Sequence, residues 1–139
     1  PSQVLFYYYL IFLYSVEQLP SACLSFLINN TSKTMSEIIN LDKESFDKVL
    51  ASSNKTTLID FWAPWCGPCK ALGPTLEEIN NELGDQVDIF KVNVDENTDL
   101  AQEHGVQSIP TILVCKNGAI SQTLVGLKTK EELTEIIRT

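Results

Sequence analysis

The 139-residue chain carries 10 basic and 18 acidic side chains, a net charge of −8, and 44% apolar residues. That length suits one domain with a core of its own, and the composition is ordinary for a globular protein. Nucleic acid is excluded as a main partner, because the longest basic cluster, Lys128-Thr129-Lys130, cannot neutralise a run of phosphates.

Residues 1–34 differ from the remainder. Val4 to Tyr14 is continuously apolar, Glu17, Gln18 and Pro20 interrupt it, and Ala22 to Ile28 is apolar again. Neither piece reaches the roughly 20 uninterrupted residues of a spanning helix. The first has the length of a signal-peptide core but no positive flank. Pro20-Ser21-Ala22-Cys23 faintly resembles a lipoprotein cleavage box, with Pro where a branched aliphatic residue is usual. The preferred expectation is upstream translation with Met35 as the native start. The alternatives are an export signal or membrane anchor, and an organelle-targeting segment, for which the lack of Arg speaks against. The expected division is therefore an extension over 1–34 and a domain over 35–139.

From Met35 the pattern becomes regular. Ile38, Ile39 and Leu41 predict a first strand. Asp42 caps a helix with Phe46, Val49 and Leu50 inward. Thr57 to Ala63 is a near-continuous apolar run, as a central strand covered on both faces requires. Leu72, Leu76, Ile79 and Leu83 recur at helical spacing, Gly84 ends that helix as a glycine C-cap does, and Gly73-Pro74 predicts a kink in it. Val87 to Val94 is a third strand, and Asn97 to His104 a short helix closed by Gly105. Thr111 to Lys116, Asn117-Gly118 and Ala119 to Val125 predict a β-hairpin. Thr129 and Glu132 form a capping box for a last helix with Leu133, Ile136 and Ile137 inward. The order βαβαβαββα implies an α/β fold: a central mixed sheet flanked by helices on both faces.

The four cysteines are one close pair, Cys66 and Cys69, and two distant singles, Cys23 and Cys115. That is a redox motif, not the dense framework of a small secreted scaffold. Residues three apart on a helix have Cβ atoms about 5–6 Å apart, and a disulfide wants about 3.5–4.5 Å, so the pair can bridge after a small adjustment. A ring that small constrains little of the unfolded chain, so the bridge makes sense as one that opens and closes. Cys66 stands at a helix N-terminus, where unpaired N–H groups and the helix dipole favour its thiolate and make it the attacking sulfur. Pro68 stiffens the first turn at a position whose N–H would be orphaned anyway. Cys69, one turn inward, is the resolving thiol. Asp60 lies inside the apolar strand, where desolvation raises its pKa and suits it to take the Cys69 proton, the alternative being a structural acceptor.

Zinc would need four ligands, and beyond the pair only His104, Cys115 and Cys23 are available, so no metal is expected. Cys115 reads as a core thiol acting as a small hydrophobe, a regulatory thiol being the minority reading. His104 reads as a surface helix residue without catalytic duty. Asn54-Lys55-Thr56 would be a glycosylation site only in an exported chain.

Trp65-Cys66-Gly67-Pro68-Cys69, Asp60-Phe61-Trp62-Ala63 before it, Lys91 in the third strand, Ile109-Pro110-Thr111 and Gly126 all fall where the thioredoxin family has them. From about Ser36 to Arg138 the chain resembles a single-domain member of that family. The resemblance implies the thioredoxin fold over 35–139 and a cis Pro110, which frees the Ile109 backbone to pair with an extended substrate. It implies a docking surface of Trp65, Gly67, Ile109, Pro110 and Gly126, with Trp62 packed beneath the site and Lys91 tuning Asp60. Gly-Pro between the cysteines looks like the reducing members. The implied function is that of a protein-disulfide reductase using a reversible Cys66–Cys69 disulfide for cell redox homeostasis. No bound cofactor is implied, and the partners are protein disulfide substrates and a recycling thioredoxin reductase. A cytoplasmic monomer is expected, exported, anchored or organellar only if residues 1–34 are native. The reading from another class is a binding module that docks a partner enzyme regardless of redox state.

Overall fold

The computed structural model describes residues 37–139, so the readings placed on the extension, Cys23 among them, lie outside the described residues. The elements follow the expected order: β1 (Ile39–Asn40), α1 (Lys43–Ser52), β2 (Thr56–Trp62), α2 (Gly67–Leu83), β3 (Val87–Asn93), α3 (Thr98–Glu103), β4 (Thr111–Lys116), β5 (Ala119–Val125) and α4 (Lys130–Arg138). The strands pair as β1-β3-β2-β4-β5. β2 is central, parallel to β3 and antiparallel to β4.

The alternation of side chains along β2 divides the core in two. Leu58 packs with Leu72, Leu76 and Ile79 of α2 and Leu133 of α4. Ile59 and Phe61 face the other way, toward Phe46 of α1 and Leu100 of α3. Each such side chain contributes about 1.5–3 kcal/mol by leaving water. Asp60 shares its pleat with Leu58 and therefore points beneath α2.

β1 is shorter than the Ile38–Leu41 run predicts. Asp42 already caps α1, through a capping box with Ser45, and leaves the strand no further length. Leu41 still donates its N–H to the Lys91 carbonyl at 2.7 Å, which carries the pairing with β3 one bond further. Thr129 and Glu132 form the second capping box, as expected. Asn117 and Gly118 both adopt positive φ, 52° and 78°, the conformation a two-residue hairpin turn requires.

Two expectations for α2 are refined. Pro74 has no N–H to give to the Lys70 carbonyl, yet the helix continues past it to Leu83. Buried Leu72 on one side and Leu76 and Ile79 on the other hold both halves against the sheet. Gly84 follows the helix but stays right-handed, at φ −57° and ψ −17°, so it is not a left-handed cap. Its need for glycine is steric: an added Cβ would stand 2.6 Å from the Asn80 carbonyl oxygen. Gly84→Ala is expected to destabilise the protein by about 1–3 kcal/mol, the usual range for overpacking. A urea titration checks this, and an unchanged midpoint at unchanged slope would contradict it.

Candidate active site

At the C-terminal end of β2 the chain turns through Ala63-Pro64-Trp65 and delivers Cys66 as the N-cap of α2. The Cys69 N–H donates to Cys66 Sγ at 3.2 Å, one of the orphan donors of the helix start aimed at sulfur. The sulfurs are joined in a disulfide, with Cα atoms 5.3 Å apart, within the ordinary range. Pro68 occupies the first turn, where its missing N–H costs no bond. Cys66 and Cys69 are only 5% and 4% exposed and cluster with Ala63, with Trp62, Val94 and Ile109 packed against them.

In β2, on the face that α2 covers, Asp60 is 1% exposed, and neither carboxylate oxygen has a hydrogen-bond partner among the described residues. Burial pushes its pKa up to about 7, while the charge of Lys91 pulls the other way. Lys91 stands opposite Asp60 in the β2–β3 register. Its Nζ lies 5.6 Å from the centroid of the Trp62 ring.

Two other segments close on the disulfide. The Ile109–Pro110 peptide is cis. The Ile109 carbonyl oxygen lies 3.9 Å from Cys66 Sγ, and the Pro110 carbonyl accepts the Gly126 N–H at 2.8 Å. Gly67 has open space on its outer side. Trp65 is 69% exposed, and with Val94, Thr98 and Ile109 it walls an open cleft of about 660 Å³. Of the residues that the sequence singles out, Trp62, Cys66, Cys69 and Ile109 pack together, and Asp60 and Lys91 stand opposite each other in the β2–β3 register.

Two residues of the site have no signal in the sequence. The Trp65 indole N–H donates to both carboxylate oxygens of Asp95, at 3.0 and 3.2 Å, across 30 residues of chain. The Trp62 indole N–H donates to Asn40 Oδ1 at 2.9 Å. Neither acid nor amide stands in a motif, and only the strand order places them.

Elsewhere, Cys115 is buried in β4 within the core of the α1 and α3 face, as expected of a small hydrophobe. Burial pushes its thiol up to about 11. In the reduced native protein, iodoacetamide at pH 8 is expected to alkylate Cys66 and spare Cys115 until the chain is unfolded. Peptide mass mapping checks this, and equal labelling of the two would contradict it. His104 is half-buried, its ring centroid 4.7 Å from that of Phe46, so it packs more than a free surface residue would. Among the described residues no group of three or more His, Cys, Asp or Glu could hold a metal, and no helix is long and apolar enough to cross a membrane.

What such a pair can do is exchange one disulfide for another, and the protein is a thiol-disulfide oxidoreductase. The thioredoxin family model matches residues 37–139. The thioredoxin of Bacillus subtilis (strain 168) is 48% identical over 100 residues, which is 72% of this chain and 94% of that protein. The thioredoxin of Haemophilus influenzae is 44% identical over 103 residues, 74% of this chain and 96% of that protein. The crystal structure of Malassezia sympodialis thioredoxin superposes with a TM-score of 0.65 at 38% identity, covering 73% of this chain and 89% of that one. The chain belongs to the thioredoxin family.

Proposed function

We propose that the chain reduces protein disulfides, with Cys66 as attacking thiolate, Cys69 as resolving thiol and Asp60 as acceptor of the Cys69 proton. The observation that supports this reading is the Cys69 N–H that donates to Cys66 Sγ at the N-terminus of α2, a helix packed on the face of β2 that carries Asp60, a buried carboxyl with no hydrogen-bond partner among the described residues. A thiolate at Cys66 keeps that N–H and the dipole of α2. The raised pKa of Asp60, about 7, suits a group that must both take and return a proton near neutrality.

Trp65, Gly67, Ile109, Pro110 and Gly126 form the surface on which an extended segment of substrate docks. Open space at Gly67, the exposure of Trp65 and the nearness of the Ile109 carbonyl to Cys66 Sγ support this. Trp62, Pro68 and Lys91 tune the site from below and from the first turn. The domain doing this work runs from residue 35 to 139. The partners are protein disulfides and, for recycling, a thioredoxin reductase; the chain works as a monomer with no bound cofactor or metal, the disulfide itself carrying the electrons. The cytoplasm fits a reductant of this kind, and membrane contact would enter only through residues 1–34.

The test is the dithiothreitol-driven reduction of insulin by the full chain. A rate well above that of dithiothreitol alone supports the proposal, and a rate equal to it refutes it.

A further inference from the structure

Asn40, Lys91 and Asp60 stand in one row across three strands. Asn40 pairs with Lys91 between β1 and β3, and Lys91 pairs with Asp60 between β3 and β2. Directly paired residues of neighbouring strands point to the same face. Here it is the face beneath α2, because Leu58, one pleat before Asp60, packs there against Leu72 and Leu76. Leu41, the neighbour of Asn40, belongs to the opposite face.

Trp62, one pleat beyond Asp60, lies on the same side. Its indole N–H reaches Asn40 Oδ1 at 2.9 Å, so the side chain spans from β2 across β3 to β1. What it crosses is Lys91, whose Nζ sits 5.6 Å from the ring centroid. The ammonium lies under Gly73 of the helix above, where an added Cβ would stand 3.8 Å from Nζ, an ordinary contact. Lys91 is a long side chain with several rotatable bonds and a strong preference for water. The attraction of its charge to one aromatic face at a partly exposed site is modest, so the ring confines the ammonium only if the ring itself is fixed.

We propose that Asn40 is a positioning residue of this site: its side-chain oxygen latches the Trp62 indole over Lys91 and so keeps the Lys91 ammonium beside Asp60. The inference rests on the reading that Asp60 takes the Cys69 proton, since only then does the placement of Lys91 matter to turnover. Lys91 is the charged group acting on Asp60. From α2, Cys69 adds a titrating group once the disulfide is open. β4 presents apolar Ile112, and α4 presents Leu133 and Ile137, so neither supplies a substitute charge.

The test is a carbon-13 NMR titration of the Asp60 carboxyl in the oxidised full chain, where the paired cysteines do not titrate. Asn40→Ala is expected to raise the Asp60 midpoint by about half a pH unit, as the ammonium drifts to solvent. Asn40→Gln, which keeps an acceptor on a longer stem, is expected to restore part of the shift. In a Trp62→Phe background, which has no indole N–H, Asn40→Ala is expected to change nothing further. An unmoved midpoint in Asn40→Ala overturns the inference even if the melting temperature falls, and so does an equal shift in the Trp62→Phe background. Asn40→Ser, too short to reach the indole, replaces the alanine variant if that one does not fold. The titration reads Asp60 directly, so it can fail while Asp60 still carries the proton. Conversely, wild-type resolution by Asp60→Asn would refute the proton-carrying role and leave the titration intact.

Discussion

Cys66→Ser is expected to bring insulin reduction down to the rate of dithiothreitol alone, and Cys69→Ser to leave the chain covalently bound to its substrate. In the proposed reaction the Cys66 thiolate attacks one sulfur of the substrate disulfide, forms the mixed disulfide and releases the other substrate sulfur as a thiolate. Cys69, deprotonated in its turn, attacks Cys66 Sγ, closes the Cys66–Cys69 bond and releases the second substrate sulfur. One disulfide is reduced and one dithiol is oxidised, so electrons balance without a cofactor. Serine at position 66 offers no thiolate at neutral pH, and the sequence ends before its first step. Serine at position 69 keeps the backbone N–H that donates to Cys66 Sγ, so the first step survives and only the second is lost. Mass spectrometry under non-reducing conditions checks both variants. Full activity in Cys66→Ser, or free substrate released stoichiometrically by Cys69→Ser, would contradict the assignment.

Asp60→Asn is expected to stabilise the oxidised protein in alkaline solution and to slow the resolving step. The Asp60 carboxyl titrates near pH 7 in the folded state, because burial opposes its charge, against about 3.9 in an unfolded chain. The folded state therefore holds the proton more tightly. The contribution of Asp60 to stability is fully present below pH 4 and is lost as the pH rises through 7. At about 1.36 kcal/mol per pH unit, the gap corresponds to a loss on the order of 4 kcal/mol. Asparagine has no proton to lose, so the variant escapes this decline. Urea denaturation from pH 4 to pH 9 should show the wild-type curve falling relative to that of Asp60→Asn. Parallel curves would contradict an Asp60 that is buried without a partner. In turnover, loss of a general base typically costs about 10²–10⁴-fold, and the low end applies here because hydroxide and buffer can also take a thiol proton. The slowing should appear in release from the mixed disulfide and not in its formation.

The elements that local chemistry controls were legible in the sequence. The Asp42 cap, the Thr129–Glu132 capping box, the Asn117-Gly118 turn and the helical periodicity around Leu72, Leu76 and Ile79 depend on residues a few positions apart. Asp60 stood out because a carboxyl inside an apolar run has nowhere to put its charge, and among the described residues it has no hydrogen-bond partner. The steric role of Gly84 was not legible: composition marks a glycine after a helix, but whether it turns left-handed or lets a carbonyl approach depends on the last turn itself. Asp95 and Asn40 were invisible for a different reason. Their partners, Trp65 and Trp62, are 30 and 22 residues away, and the contacts exist because β3 inserts between β1 and β2. Strand order along the chain does not reveal strand order across a sheet. Hence the Cys66–Cys69 pair and the buried carboxyl of Asp60 could be read from the sequence, and the polar contacts that hold the two indoles could not.

The most direct measurement mixes the pre-reduced full chain with oxidised insulin in the absence of any other thiol. The dithiol mechanism predicts one insulin disulfide reduced per chain, with the Cys66–Cys69 bond closed and no adduct remaining, as read by mass spectrometry and peptide mapping. A chain that leaves insulin oxidised, or that ends as a stable mixed disulfide with both wild-type cysteines present, would contradict it.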